Sequence, residues 1–157
     1  MEFTIRAAAP ADLPTIVKLR HAMFEEMGYV NRAELELTDE KFQEWVEPKL
    51  KSGDYHGWFL LDDSGKIVGG AGLWLMEWVP HALDGSTQRG NILNVYCLPE
   101  HQPSGIVRRL LIHVLDYCRD NGIRSVIVNP SDAMRPLYET LGFRATGEMK
   151  IQMSVPN

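Results

Sequence analysis

The sequence predicts an α/β fold built on a mixed, mostly antiparallel sheet. Three observations carry that expectation. Strand-like and helix-like segments follow one another in the order β-α-α-β-β-β-α-β-α-β, the interleaving of α/β layers. Residues 92–98 are an apolar, β-branched run without Gly or Pro, followed by a helix-spaced segment and a second β-branched run at 125–129. That is a strand–helix–strand unit long enough for a parallel crossover. Two strand-like runs, 58–61 and 67–78, flank Asp62-Asp63-Ser64-Gly65 and read as an antiparallel hairpin.

Each element follows from its own chemistry. Phe3-Thr4-Ile5-Arg6 alternates as an edge strand does. Pro10 and Pro14 fit the first turn of a helix, where no N–H is needed. Leu13, Ile16, Val17, Leu19, Arg20, Met23, Phe24 and Met27 give that helix a broad face, and Gly28 ends it. Thr38 predicts the N-cap of a second helix carrying Phe42, Trp45, Val46 and Leu50, with Ser52-Gly53 closing it. Gly69, Gly70 and Gly72 predict a bulge or a close backbone approach in the hairpin's second strand. A polar loop, 79–90, leads to the strand at 92–98, which Pro99 stops. Gly105 then opens a helix whose stripe is Ile106, Val107, Leu110, Leu111, Val114, Leu115 and Cys118. Asn121-Gly122 cap it, a short helix is predicted from about Arg135 to Gly142, and residues 143–155 are expected to add one or two last strands.

Composition narrows the function classes. At 157 residues the chain is expected to form one domain, burying ~68–70% of its unfolded surface. A net charge of −5 argues against nucleic acid or an anionic membrane as main partner. Cys97 and Cys118 fall on a strand and an inward helix face, which predicts buried thiols in a reducing compartment. The five histidines are scattered, so no metal site is expected. Neither a signal peptide nor a bilayer-length apolar run is present in the sequence, and the expected location is cytoplasmic.

The loop 100–104 delivers a helix N-terminus whose first amides have no partner inside the helix, an anion-binding arrangement. Arg108 and Arg109 sit in that first turn, against the helix dipole, and a bound phosphate would reverse the penalty. Around them, Pro-Glu-His-Gln-Pro-Ser-Gly-Ile-Val-Arg-Arg-Leu-Leu (99–111) resembles the acetyl-CoA-binding signature of the GNAT superfamily of N-acyltransferases. Gln102, Gly105 and Leu110-Leu111 match it, whereas Val107 stands where the family has Gly or Ala. Leu137-Tyr138-Glu139-Thr140-Leu141-Gly142-Phe143 is similar to the family's second landmark, in the right order.

The resemblance implies a fold and a set of roles. Family members splay their fourth and fifth strands, and the pantetheine arm of acetyl-CoA enters the gap. Gln102 would belong to the cofactor site, and the pyrophosphate would rest on the amides of Pro103, Ser104, Gly105, Ile106, Val107 and Arg108, with Pro103 unable to donate. The pantetheine amides would pair with the backbone of Val95, Tyr96 and Cys97, Ser131 would take the place of a cofactor-contacting Asn, and Tyr138 would protonate the departing thiolate. The segment 28–37 would shape the acceptor pocket, with Glu25, Tyr29 and Asn94 as substrate-side candidates. No carboxylate lies on the strand 92–98, so the base is sought at Glu77 or Glu26, acting through a water, while Asn94 orients water without taking a proton. Trp74, Met76, Trp78 and Tyr29 are expected near the acceptor side, as a wall or as core. The implied function is acetyl transfer from acetyl-CoA to the primary amine of a small molecule or protein, by a monomer or homodimer. A non-catalytic acyl-CoA-binding module is the alternative.

Overall fold

In the computed structural model, which describes residues 2–156 and only the backbone of Pro103 and Ser104, one five-stranded sheet carries helices on both faces. Its strands are β1 (Thr4–Ala7), β2 (Tyr55–Leu61), β3 (Ile67–Glu77), β4 (Gln88–Cys97) and β5 (Val126–Val128), laid side by side in that order. The first three pairings are antiparallel and β4–β5 is parallel, as the sequence predicts.

The helices are α1 (Leu13–Glu26), α2 (Arg32–Ser52), α3 (Ile106–Asp120) and α4 (Arg135–Thr140). Pro10 opens a short 3-10 turn ahead of α1, and Asp12 accepts from the Ala9 amide at 2.7 Å and from Arg6. The start of α2 departs from expectation. The chain becomes helical at Arg32 because the Asn31 side chain accepts from the Glu34 amide at 3.1 Å, leaving Thr38 inside the helix. The α1–α2 connection is therefore 27–31, shorter than the predicted 28–37. Gly53, at φ 85°, ends α2 in the left-handed region, with Lys49 and Lys51 favourably placed in the last turn.

Two apolar layers sandwich the sheet. Leu13 and Ile16 of α1 and Phe42 and Val46 of α2 pack with Tyr55 and Phe59 on one side. Leu110, Leu111 and Val114 of α3 pack with Leu60, Leu73, Ile92 and Tyr138 on the other. Burial of such a side chain stabilises by roughly 1.5–3 kcal/mol. Cys97 and Cys118 are free and buried in this second layer.

The closing strand expected within 143–155 does not form. Among the described residues no strand follows α4, and residues 144–156 are all exposed. Among these same residues, no helix is long and apolar enough to cross a membrane.

Candidate active site

The parallel pairing of β4 and β5 covers only Gly90↔Val126, Asn91↔Ile127 and Ile92↔Val128. Beyond Ile92 the fourth strand runs on to Cys97 with β3 on one side and, among the described residues, no strand on the other. Leu93–Tyr96 thus has no strand along its outer edge among the described residues, where β4 parts from β5, and its outward amides and carbonyls are open to an added extended partner.

A bulge shapes that edge. Leu93 pairs with Gly72 and Tyr96 with Gly70, so Asn94 and Val95 together oppose Ala71. Asn94 has φ 56°, the one positive φ among described non-glycine residues, a conformation Asn tolerates better than most. Its side chain is held at both ends: Nδ2 donates to the Tyr55 hydroxyl at 3.0 Å, and Oδ1 accepts from Arg20 Nε at 3.1 Å. The Arg20 guanidinium lies between the Phe24 and Phe42 rings, 4.6 and 4.4 Å from their centroids. Burial lowers the pKa of Arg20, with Tyr55 and Asp39 opposing, and its Nη1 is buried without a hydrogen-bond partner among the described residues. Burial also pushes Tyr55 up to about 12. Gly72 makes room for this arrangement, because a Cβ there would collide with the Tyr55 hydroxyl.

From Cys97 the chain enters a 3-10 helix, Pro99–Ser104, and then α3. Gly105 caps α3 at φ 71°, a left-handed conformation open to glycine at little cost. A Cβ built on Gly105 would meet nothing of this chain within 4 Å, so the surface beside it is open. The N–H groups of Ile106, Val107 and Arg108 have no carbonyl one turn back inside α3. The loop is fastened on both sides. Gln102 Nε2 donates to the Cys97 carbonyl and to Glu26 Oε1, each at 2.8 Å. Arg108 donates to Thr140 Oγ1 at 2.6 Å, tying α3 to α4, and Arg109 donates to the Phe3 carbonyl at 3.3 Å. Val107 is half-buried against the α3-side core. The side chains of Pro103 and Ser104 lie outside the described residues.

Tyr138 sits on α4, buried in the same apolar cluster as Cys97 and Ile106 and edge-on to Phe143 at 5.5 Å. Burial pushes its phenol up to about 12, so it keeps its proton at neutral pH. Ser131 accepts from the Met134 amide through both its Oγ, at 3.3 Å, and its carbonyl, at 3.1 Å, which closes the turn leading into α4, whose N-cap is Met134.

An open strand edge leads into a glycine-opened helix terminus, and a buried phenol on the following helix shares an apolar cluster with Cys97 and Ile106. Residues 16–143 match the family described as Acetyltransferase (GNAT) family. The chain belongs to the GNAT acetyltransferase family. A GCN5-related N-acetyltransferase from Ralstonia eutropha JMP134 is 30% identical and superposes with a TM-score of 0.88 over 97% of this chain and 99% of its own. A predicted acetyltransferase from Clostridium acetobutylicum, in a structure with acetyl-CoA, shares the fold at 20% identity, with a TM-score of 0.87 over 97% of this chain and 96% of its own. In sequence, the chain is 32% identical over 87 residues to glucosamine 6-phosphate N-acetyltransferase of Trypanosoma brucei brucei, covering 55% of this chain and 57% of that relative.

Within this GNAT domain the expected site residues separate into two groups. Val95, Tyr96, Cys97, Gln102, Gly105, Ile106 and Arg108 line one continuous path from β4 to α3, and Glu26 joins them through Gln102. Glu26 is also the hydrogen-bond partner of Tyr96, whose pKa is raised, first by burial and then by that carboxylate. Glu77 is elsewhere. It pairs with Gln88 at the opposite end of β4, about 20 Å along the strand from Asn94. Tyr29 is exposed beyond α1, edge-on to Phe24, while Trp74 packs on Trp45 and Trp78 lies under Arg89 at 3.2 Å. These aromatics do not form one wall.

Sequence reasoning passed over Arg20, Tyr55 and the pair His21–Asp39. His21 Nδ1 is 2.6 Å from Asp39 Oδ2, and its Nε2 is 3.3 Å from Glu25 Oε1. An arginine on the apolar stripe of α1 was the one visible signal, since a buried guanidinium needs partners. Among the described residues no group of three His, Cys, Asp or Glu side chains gathers to hold a metal ion.

Proposed function

We propose that this acetyltransferase moves an acetyl group from acetyl-CoA directly to the primary amine of a small molecule or an exposed protein amine. The carrying observation is the parting of β4 from β5 after Ile92 and Val128, directly ahead of the α3 terminus. The free β4 edge is suited to the pantetheine amides, as an added strand would be. The amides of Gly105, Ile106, Val107 and Arg108 are suited to the pyrophosphate, helped by the positive end of the α3 dipole. The open surface beside Gly105 supports that fit.

The chemistry is attack of the amine nitrogen on the thioester carbon, collapse of the tetrahedral oxyanion, and departure of the thiolate. An outward amide of the bulge at Asn94–Val95 serves the oxyanion, because donors fixed by a strand need no reorganisation as charge develops. Glu26 takes the amine proton through a water. The Tyr138 phenol, with its pKa raised to about 12, donates a hydrogen bond to the developing thiolate. A thiol of pKa ~8.5 does not draw the proton fully from so weak an acid, so the phenol acts chiefly by stabilising charge on sulfur.

The test is release of free CoA thiol from acetyl-CoA over a panel of primary amines, with the acetylated product read by mass spectrometry. The name of the Trypanosoma relative makes an amino sugar phosphate the natural first member of that panel. Thiol release matched by acetylated amine supports the reading. Tight acetyl-CoA binding with no release from any amine would leave a non-catalytic acyl-CoA-binding module instead.

A further inference from the structure

Arg20 stands where volume alone would select an apolar residue. It lies one turn after Ile16 and one turn before Phe24 on α1, along the stripe that packs toward the sheet. Taking a guanidinium out of water costs stability that partial pairing does not return. Here the pairing is partial, since Nη1 is buried without a partner among the described residues. A leucine or methionine would fill the space without that cost, so the guanidinium supplies something other than packing.

What it supplies is a fixed direction. The rings of Phe24 from α1 and Phe42 from α2 hold the guanidinium between them, and Asp39 of α2 attracts its charge. Because the guanidinium is a rigid plane, a held plane fixes the line of each N–H. One of them, on Nε, is given to Asn94 Oδ1 at 3.1 Å, and the other end of that amide donates to Tyr55 of β2. Three elements, α1, α2 and β2, thereby converge through Arg20 and Tyr55 on one residue of β4.

That residue is the left-handed one. Asn94, at φ 56°, shares the bulge with Val95 opposite Ala71. A bulge re-aims groups that a regular ladder would point elsewhere, and the conformation of Asn94 sets the line of the peptide joining it to Val95. An unanchored Asn94 is free to relax to the extended conformation that suits an L-residue in a strand, and the peptide turns with it.

On the acetyl-transfer reading above, we propose that Arg20 is a positioning residue of the reaction, which through Asn94 holds the Asn94–Val95 peptide of the β4 bulge in the direction that serves the thioester oxyanion. Arg20 acts through Asn94 and not by contact with substrate. A donor displaced by about 1 Å costs up to about 10²-fold in rate, so loss of this anchor is felt in kcat and not in cofactor binding.

The experiment compares the intact chain with Arg20→Met and Arg20→Lys, using an amine that supports thiol release. Methionine fills the space between the rings, and circular dichroism checks the fold of each variant. In Arg20→Met, kcat is expected to fall roughly 10–10²-fold, with the KM for acetyl-CoA and the melting temperature almost unchanged. Arg20→Lys keeps a charge and a donor but no fixed plane, and its kcat should lie between the two. Amide hydrogen exchange at 94–96, which needs no acceptor, should quicken in both variants. An intact chain that releases no thiol with any amine overturns the acetyl-transfer reading and this role with it. An active intact chain whose kcat both variants match, or unaltered exchange at 94–96, overturns the role of Arg20 alone.

Discussion

Asn94 concentrates more constraint than any other residue of the cleft. It holds a left-handed backbone conformation while bonding the buried Tyr55 hydroxyl and the half-buried Arg20 Nε. Asn94→Ala keeps the backbone strain and removes both hydrogen bonds, so a cost of about 2–4 kcal/mol is expected. Asn94→Gly removes the same bonds but relieves the strain, and should be the less damaging by about 1 kcal/mol. Urea unfolding of the two variants gives the order, and an alanine variant more stable than the glycine one contradicts it. Tyr138 is the opposite case, a buried side chain whose hydroxyl, in the proposed reaction, would serve chemistry more than packing. Tyr138→Phe should lower kcat about 10²-fold while leaving the affinity for acetyl-CoA and the melting temperature almost unchanged. Steady-state kinetics with the acceptor found by thiol release would show it. Unaltered kcat, with chemistry rate-limiting, would reduce Tyr138 to a packing residue.

At the scale of elements, the bulge depends on β3 as much as on β4. Gly72 faces the Tyr55 hydroxyl so closely that Gly72→Ala should cost about 1–3 kcal/mol through overpacking. Adding Tyr55→Phe removes the obstructing oxygen, and the double variant should recover part of that loss. Additive denaturation energies would mean that the two positions are not coupled. The same scale shows what could be read in advance. β4 and α3 were legible because a β-branched run, a Pro stop and a Gly start mark their limits without help from tertiary contacts. The start of α2 was not, since Asn31 and Thr38 are both competent caps and their spacing does not say which one accepts a helix amide; Asn31 does, and the helix runs from Arg32. The parting of β4 and β5 had no local signal, because Leu93–Cys97 continues the same strand-like run as the paired Ile92. It entered through the resemblance of Gln102, Gly105 and Tyr138 to GNAT landmarks. The tail was expected to supply one or two strands and forms none among the described residues, for alternation shows what a segment can do and not whether a neighbour is available.

For the whole molecule, acids whose pKa burial raises most are expected to weaken the fold at alkaline pH. Burial pushes Cys97 and Cys118 from 9.0 to about 11, and Tyr55 and Tyr138 from 10.0 to about 12. The folded state therefore holds protons that the unfolded chain has already released. Stability from these groups is complete below the unfolded values and is lost as pH rises through the folded ones. The melting temperature should fall steadily as pH rises from 9 towards 11, and a flat profile would mean that the thiols and phenols are more hydrated than their burial indicates. The central claim is that acetyl-CoA lies in the β4–β5 cleft with its pyrophosphate on the α3 terminus. Titration calorimetry of acetyl-CoA into the intact chain and into Gly105→Val addresses it most directly. A Cβ there meets none of the protein's own atoms, so the folding penalty is confined to the backbone, roughly 1–2 kcal/mol, while phosphate approach is blocked. The predicted result is one site per chain in the intact protein and no measurable heat of binding in the variant, with both folded by circular dichroism. Equal affinity in the two proteins would contradict the assignment.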